Sequence, residues 1–159
     1  AKTRATATRR QLHIPPNVTI NANPDRMNNL TAFLTRFLEL NEKNLQLDFF
    51  CRKQVILQIF KMLDVEKWGK NIEQYVQGDI VIELTFNKHK IDNSNNKERF
   101  INSDLNYSFK KVDNIEQDSY WLGLNISMGI NQIQKEILNI IHTVYKIENE
   151  PVEFILNAY

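Results

Sequence analysis

Apolar residues Met27, Leu30, Leu34 and Phe37 recur three and four positions apart, with Phe33, Leu38 and Leu40 widening the stripe. That spacing predicts a core-facing helix from Asn23 to about Leu40. Asn23-Pro24-Asp25 supplies its start, since Asn23 can cap the first N–H groups, Pro24 suits the first helical position and Asp25 complements the positive end of the dipole. From about Asn44 to Leu63 the positions of Leu45, Phe49, Val55, Ile56, Ile59, Phe60 and Leu63 are read the same way. They predict a second helix, apolar over more than half its circumference and so either central or facing a partner. Asp64 then caps a short third helix carrying Trp68, Ile72, Tyr75 and Val76, which ends before Gly78.

From Ile80 the period changes to two. Ile80, Ile82, Leu84 and Phe86 alternate with Val81, Glu83 and Thr85; Leu105, Tyr107 and Phe109 with Asn106 and Ser108; Tyr120, Leu122, Leu124, Ile126 and Met128 with Trp121, Gly123, Asn125 and Ser127. Each reads as a strand with one wet face. Asp113 to Asp118 has the turn chemistry of a hairpin, and Lys88 to Ser103 is a polar insertion, flexible or a binding loop. A regular stripe of Ile130, Ile133, Ile137, Ile140, Ile141 and Val144 predicts the last helix, which Pro151 prevents from continuing, and Val152 to Leu156 adds a final strand. The expected fold is α+β: N-terminal helices packed on a small antiparallel sheet of three to four strands, with a C-terminal amphipathic helix.

Composition divides the chain. Residues 1–12 contain Lys2, Arg4, Arg9 and Arg10 and no acid, and are too polar to fold alone. Taking these four charges from the net +1 leaves residues 13–159 at −3. We therefore expect a flexible basic tail (1–12) and a single α+β domain (13–159) beginning near His13. One cysteine, Cys51, excludes an internal disulfide and a multi-cysteine zinc site. No apolar run reaches the roughly 20 residues that span a bilayer, so the location expected is cytoplasmic or nuclear, away from membranes. The chain holds 20 asparagines, and matches to the glycosylation pattern, Asn125 included, are chance products of that abundance.

Chemistry is sparse. His13, His89 and His142 are the only histidines and none adjoins a plausible nucleophile; Cys51 among Phe49, Phe50 and Val55 reads as a buried apolar side chain. His89 and Asp92 lack a third metal ligand, and the isolated glycines form no phosphate cradle. No catalytic residue, metal or cofactor is expected. For nucleic acid, Arg4, Arg9 and Arg10 of the tail and Lys88, Lys90, Lys110 and Lys111 offer charge, with Phe100 and Tyr107 for stacking and Asp92, Glu98 and Asp104 interleaved. Trp121 stands out: if Tyr120 and Leu122 point inward, alternation places Trp121 and Asn125 on the opposite face. Either another element covers that face, or the inner and outer faces are reversed, or Trp121 with Asn125 anchors a protein partner.

The segment Leu105-Asn106-Tyr107-Ser108-Phe109-Lys110-Lys111-Val112-Asp113, followed by Tyr120-Trp121-Leu122-Gly123-Leu124-Asn125-Ile126, resembles the central hairpin of RWD-type domains of kinetochore and related assemblies. Three helices before the sheet depart from the usual RWD order. The resemblance implies an interaction module. Together these readings favour a non-catalytic protein–protein interaction domain, a subunit of a multiprotein assembly as hetero- or homo-oligomer. The alternatives are a nucleic-acid-associated domain using the tail and residues 88–111, and a small-ligand or enzyme domain with a pocket between helices and sheet.

Overall fold

The computed structural model describes residues 10–11, 17–20, 24–40, 45–62, 66–67, 70–87, 95–112, 117–147 and 150–158. Two short strands, β1 (Arg10–Gln11) and β2 (Asn17–Ile20), precede helix α1 (Pro24–Glu39). In α1 the expected stripe is in place, with Leu30, Phe33, Leu34 and Phe37 buried. The second expected helix is absent. Residues Leu45–Cys51 and Gln54–Lys61 are strands β3 and β4 of a hairpin. Every residue of β3 except Phe50 is buried, so both faces of the strand are covered. A strand covered on both sides needs no polar alternation, and its apolar positions then satisfy a helical template as readily as an extended one. Ile56, Ile59 and Phe60 are core as expected, whereas Val55 is 40% exposed.

The hairpin also lacks the usual turn signal. Its two loop residues, Arg52 and Lys53, have φ of +51° and +63°, the left-handed values of a two-residue turn that favours Asn-Gly or Asp-Gly. For side chains with a Cβ this conformation costs on the order of 1 kcal/mol per residue.

The short third helix is likewise replaced, by strands β5 (Glu66–Lys67) and β6 (Lys70–Asn71) and a 3-10 turn at Ile72–Gln74. Strand β7 (Ile80–Asn87) follows as expected, and the polar insertion holds a six-residue helix, α2 (Asn96–Ile101). Leu105 to Ser108 is not a strand but part of a 3-10 turn at Asp104–Ser108; pairing begins only with β8 (Lys110–Val112). Strand β9 (Gln117–Leu124) gives way to a 3-10 turn at Ile126–Met128, then helix α3 (Ile130–Tyr145) and strand β10 (Glu150–Ala158) complete the chain.

The sheet is antiparallel throughout, in the order β10-β3-β4-β7-β9-β8, with β1 and β2 both added on the outer side of β10. It corrects the expected architecture, since one helix, α1, precedes a six-stranded sheet instead of several helices preceding three or four strands. Arg10 and Gln11, placed in the tail by composition, pair with Ala158 and Asn157, while His13 lies outside the described residues. Helix α3 carries the chain from β9 back to β10, across the face that bears Leu47, Ile59, Ile82 and Leu156. There its buried Ile133, Ile137, Ile140, Ile141 and Val144 meet α1 in one core. The two helices are joined by the Thr31 hydroxyl donating to Gln134 Oε1 at 2.6 Å.

Candidate functional site

The opposite face of the sheet carries the polar chemistry. One transverse row follows the register Ile155–Asp48–Gln58–Glu83–Trp121–Lys110 across β10, β3, β4, β7, β9 and β8. Asp48 is 1% exposed. Gln46 Nε2 donates to its Oδ1 at 2.7 Å, Gln58 Nε2 to the same oxygen at 3.0 Å, and Asn157 Nδ2 to its Oδ2 at 2.7 Å. A single carboxylate therefore joins β10, β3 and β4. Farther along the row Trp121 Nε1 donates to Glu83 Oε2 at 2.6 Å, joining β7 to β9. Sheet register slips by one residue at the expense of every inward side chain, and a satisfied buried network of this kind specifies one pairing. The arrangement assigns Asp48 and Glu83 to holding strands in register.

Asp48→Asn tests this. The change turns one acceptor oxygen into a donor facing another amide donor. It is expected to cost about 2 to 3 kcal/mol in urea melts, the penalty of leaving buried polar groups unsatisfied. A loss below about 0.5 kcal/mol, the range of a neutral surface change, would show that the row does not hold the sheet.

Sequence reasoning passed over Gln46, Asp48, Gln58 and Asn157. The signal was present for two of them, since Gln46 and Asp48 alternate with Leu45, Leu47 and Phe49, but a helical reading of that segment hid the alternation.

Trp121 does lie on the face opposite Tyr120 and Leu124, but it is 0% exposed, which corrects the expectation of an accessible indole. It packs edge-on against Phe60 and Tyr75, with centroids 5.6 and 5.5 Å away, in a second small core with Ile72, Val81 and Val112. The covering segment runs through Ile72–Val76 and is pinned at its end, where Asp79 N–H donates to the Leu124 carbonyl at 2.8 Å and Asp79 Oδ2 accepts from Ile126 N–H at 2.7 Å. Asn125 is exposed.

The other anticipated positions are described only in part. Lys110 and Lys111 on β8 are exposed. Lys111 stands 3.7 Å from Asp118, and Lys97 donates to the same carboxylate at 2.6 Å. The bond from Asp118 holds the Lys97 ammonium above its ordinary pKa, against a smaller opposing effect of burial. Arg4, Arg9, Lys88 and Lys90 lie outside the described residues, as does the side chain of Arg10. Cys51 is buried and His142 exposed. Among the described residues no three His, Cys, Asp or Glu side chains group to hold a metal, and no helix is long and apolar enough to cross a membrane. An open polar cleft of about 440 Å³ lies between α2 and the end of α3, lined by Glu98, Arg99, Asn102, Thr143 and Lys146.

Exposed apolar side chains do gather. Tyr107 is 87% exposed, Ile126 43% and Met128 37%. Tyr107 precedes Lys110 by three residues, and Ile126 follows Trp121, the register partner of Lys110, by five. Both therefore lie at the same end of the β8–β9 ribbon.

No protein-family model, no curated protein and no solved structure matches this chain. The likeness to the RWD hairpin needed a strand through Leu105 to Phe109, and that stretch is largely a 3-10 turn.

Proposed function

We propose that the chain is a non-catalytic interaction domain, a subunit of a cytoplasmic or nuclear protein assembly. The observation that carries this reading is the exposed apolar end formed by Tyr107, Ile126 and Met128. Aromatic and methionine side chains are enriched in the buried centres of interfaces and depleted on idle surface. Tyr107 there takes the anchoring part that Trp121 cannot play, since the indole is enclosed. Exposed Asn125 adjoins Ile126 and belongs to the rim of the same surface, where a polar border is usual.

The test compares wild type with the triple variant Tyr107→Ser, Ile126→Ser, Met128→Ser, by thermal melt and by quantitative recovery of binding partners from the protein's own cell extract. The melting temperature is expected to stay within a few degrees, while partner recovery falls about tenfold or more, as for an interface anchor. The control Val55→Ser, at the other end of the sheet, should leave recovery intact. Equal recovery by the triple variant and wild type would sink the reading.

A further inference from the structure

Packing does not hold the turn that presents Ile126 and Met128. Every residue from Asn125 to Gly129 is exposed, and no side chain of the 3-10 turn is buried. Met128 N–H donates to the Asn125 carbonyl at 3.2 Å and Gly129 N–H to the Ile126 carbonyl at 3.0 Å. These bonds close the curl of the turn without fixing it to the rest of the protein. Asn125 occupies the cap position, where an asparagine side chain ordinarily accepts from the first free N–H groups, yet its side chain makes no such bond. Gly129, at φ of +89°, then leads into α3 through open space, since a Cβ there would meet nothing within 4 Å.

The cap comes instead from another element. Asp79 Oδ2 accepts from Ile126 N–H at 2.7 Å, 47 positions away in sequence. Among the described residues this is the one hydrogen bond that reaches Ile126–Met128 from outside the turn and its flanks. Asp79 is itself firmly placed. Its N–H donates to the Leu124 carbonyl at 2.8 Å and its carbonyl accepts from Met62 N–H at 2.9 Å, which ties it to the chain just past β4 and to the end of β9. Any residue other than proline can make those two backbone bonds. The carboxylate adds only the third, for Asp79 is exposed and no other bond or ion pair among the described residues engages its side chain. Aspartate often shapes its own loop by bonding to backbone two residues on. Here the loop is shaped by Gly78 at φ of +138°, and the Asp79 side chain bonds to a different segment.

The geometry points to Asp79 as a positioning residue for the docking surface: a charged cap, supplied from the crossing before β7, that holds Ile126 and Met128 in the arrangement a partner meets. This role rests on the docking reading above and adds to it the group that makes the surface rigid. A surface ordered before association loses less conformational freedom on binding, and affinity rises accordingly. A bond from N–H to a carboxylate is of the stronger, charge-assisted kind, suited to a turn with no packing of its own.

The experiment compares Asp79→Ala, which removes the acceptor, with Asp79→Asn, which keeps one in the same place, in the full chain. Native-state hydrogen exchange at Ile126 N–H is expected to quicken about tenfold or more in Asp79→Ala, as for a lost bond to a charged acceptor, and to stay near wild type in Asp79→Asn. Recovery of partners from the cell extract should fall about fivefold in Asp79→Ala, the cost of a surface no longer held ready, and return in Asp79→Asn. Both variants should melt within a few degrees of wild type. In a Trp68→Phe background, which leaves Trp121 as the only tryptophan, acrylamide quenching should be unchanged, because the backbone bonds of Asp79 hold the cover over the indole without the carboxylate.

Unchanged exchange at Ile126 in Asp79→Ala would overturn the positioning role. So would quickened exchange with undiminished recovery while the triple variant Tyr107→Ser, Ile126→Ser, Met128→Ser loses its partners, a result that leaves the docking reading standing. A clearly lower melting temperature or a quenchable Trp121 in Asp79→Ala would make the carboxylate an element of the fold and overturn the role as well. Equal recovery by the triple variant and wild type would remove the docking surface, and the role of Asp79 with it.

Discussion

Trp121→Ala is expected to destabilise the protein by about 3 to 5 kcal/mol, the range for removing a large aromatic side chain from a core. The indole is 0% exposed and fills the centre of a small cluster. Its neighbours Phe60 and Tyr75 are held by edge contacts with it and cannot close the gap without moving β4 or the Ile72–Val76 crossing. The indole is also the donor to buried Glu83, so deletion strips a carboxylate of a partner besides opening a cavity. Trp121→Phe keeps a phenyl ring in the cluster while losing the N–H and part of the indole, and is expected to cost less, about 1 to 3 kcal/mol. Urea melts of both variants decide the matter. A loss below about 1 kcal/mol for Trp121→Ala would mean that the second core does not form in solution and that the indole is accessible after all.

Two residues on, Gly123→Ala is expected to cost about 3 to 4 kcal/mol, at or above the upper part of the range for overpacking. A Cβ at this position would lie 2.0 Å from the Gln77 carbonyl oxygen and 2.9 Å from its carbonyl carbon. Those atoms are backbone, so no side-chain rotation relieves the clash, and the crossing segment has to lift. Lifting it strains the bond from Asp79 N–H to the Leu124 carbonyl and uncovers Trp121. Near-ultraviolet circular dichroism reports on the packing of that tryptophan directly. A Gly123→Ala protein with wild-type stability and an unchanged aromatic spectrum would place the Gln77–Gly78 crossing elsewhere.

What could be read from the amino acids follows from how each element meets water. Helices α1 and α3 bury one stripe each and expose the remainder, so their period survives in the sequence; the bounds of α3 agree closely with those expected from Ile130 to Val144. Strand β7 was visible because Ile80, Ile82, Leu84 and Phe86 form one apolar set. The β3–β4 hairpin was hidden for two reasons: the alternation of β3 is short and breaks at Phe49-Phe50, so that its apolar positions and those of β4 also fit a helical spacing, and a turn made of Arg52 and Lys53 gives none of the Gly, Asn or Asp punctuation by which a reader divides one helix from two strands. At Trp121 the parity of the strand was legible and the burial was not, because the cover comes from residues remote in sequence. The register row was the least legible feature. Asp48, Gln58 and Asn157 become a network only when three strands are laid side by side.

The path of α3 has a kinetic consequence. Strand β10 is made after every strand it joins, yet it takes the place beside β3 and also offers the edge on which β1 and β2 pair. Residues 150–158 thus bridge segments more than a hundred positions apart, as the Asn157–Asp48 contact shows. Such long-range closure must be paid for in chain entropy before its contacts form, which slows folding. On the ribosome the β3–β4 hairpin, β7 and β9 emerge with one flank of the sheet open until β10 is synthesised. During that interval β3 presents an unpaired, apolar edge, the kind of surface that chaperones bind and that seeds aggregation. A nascent chain halted before Glu150 should therefore be retained by chaperones, and its release should follow the emergence of β10 from the ribosome.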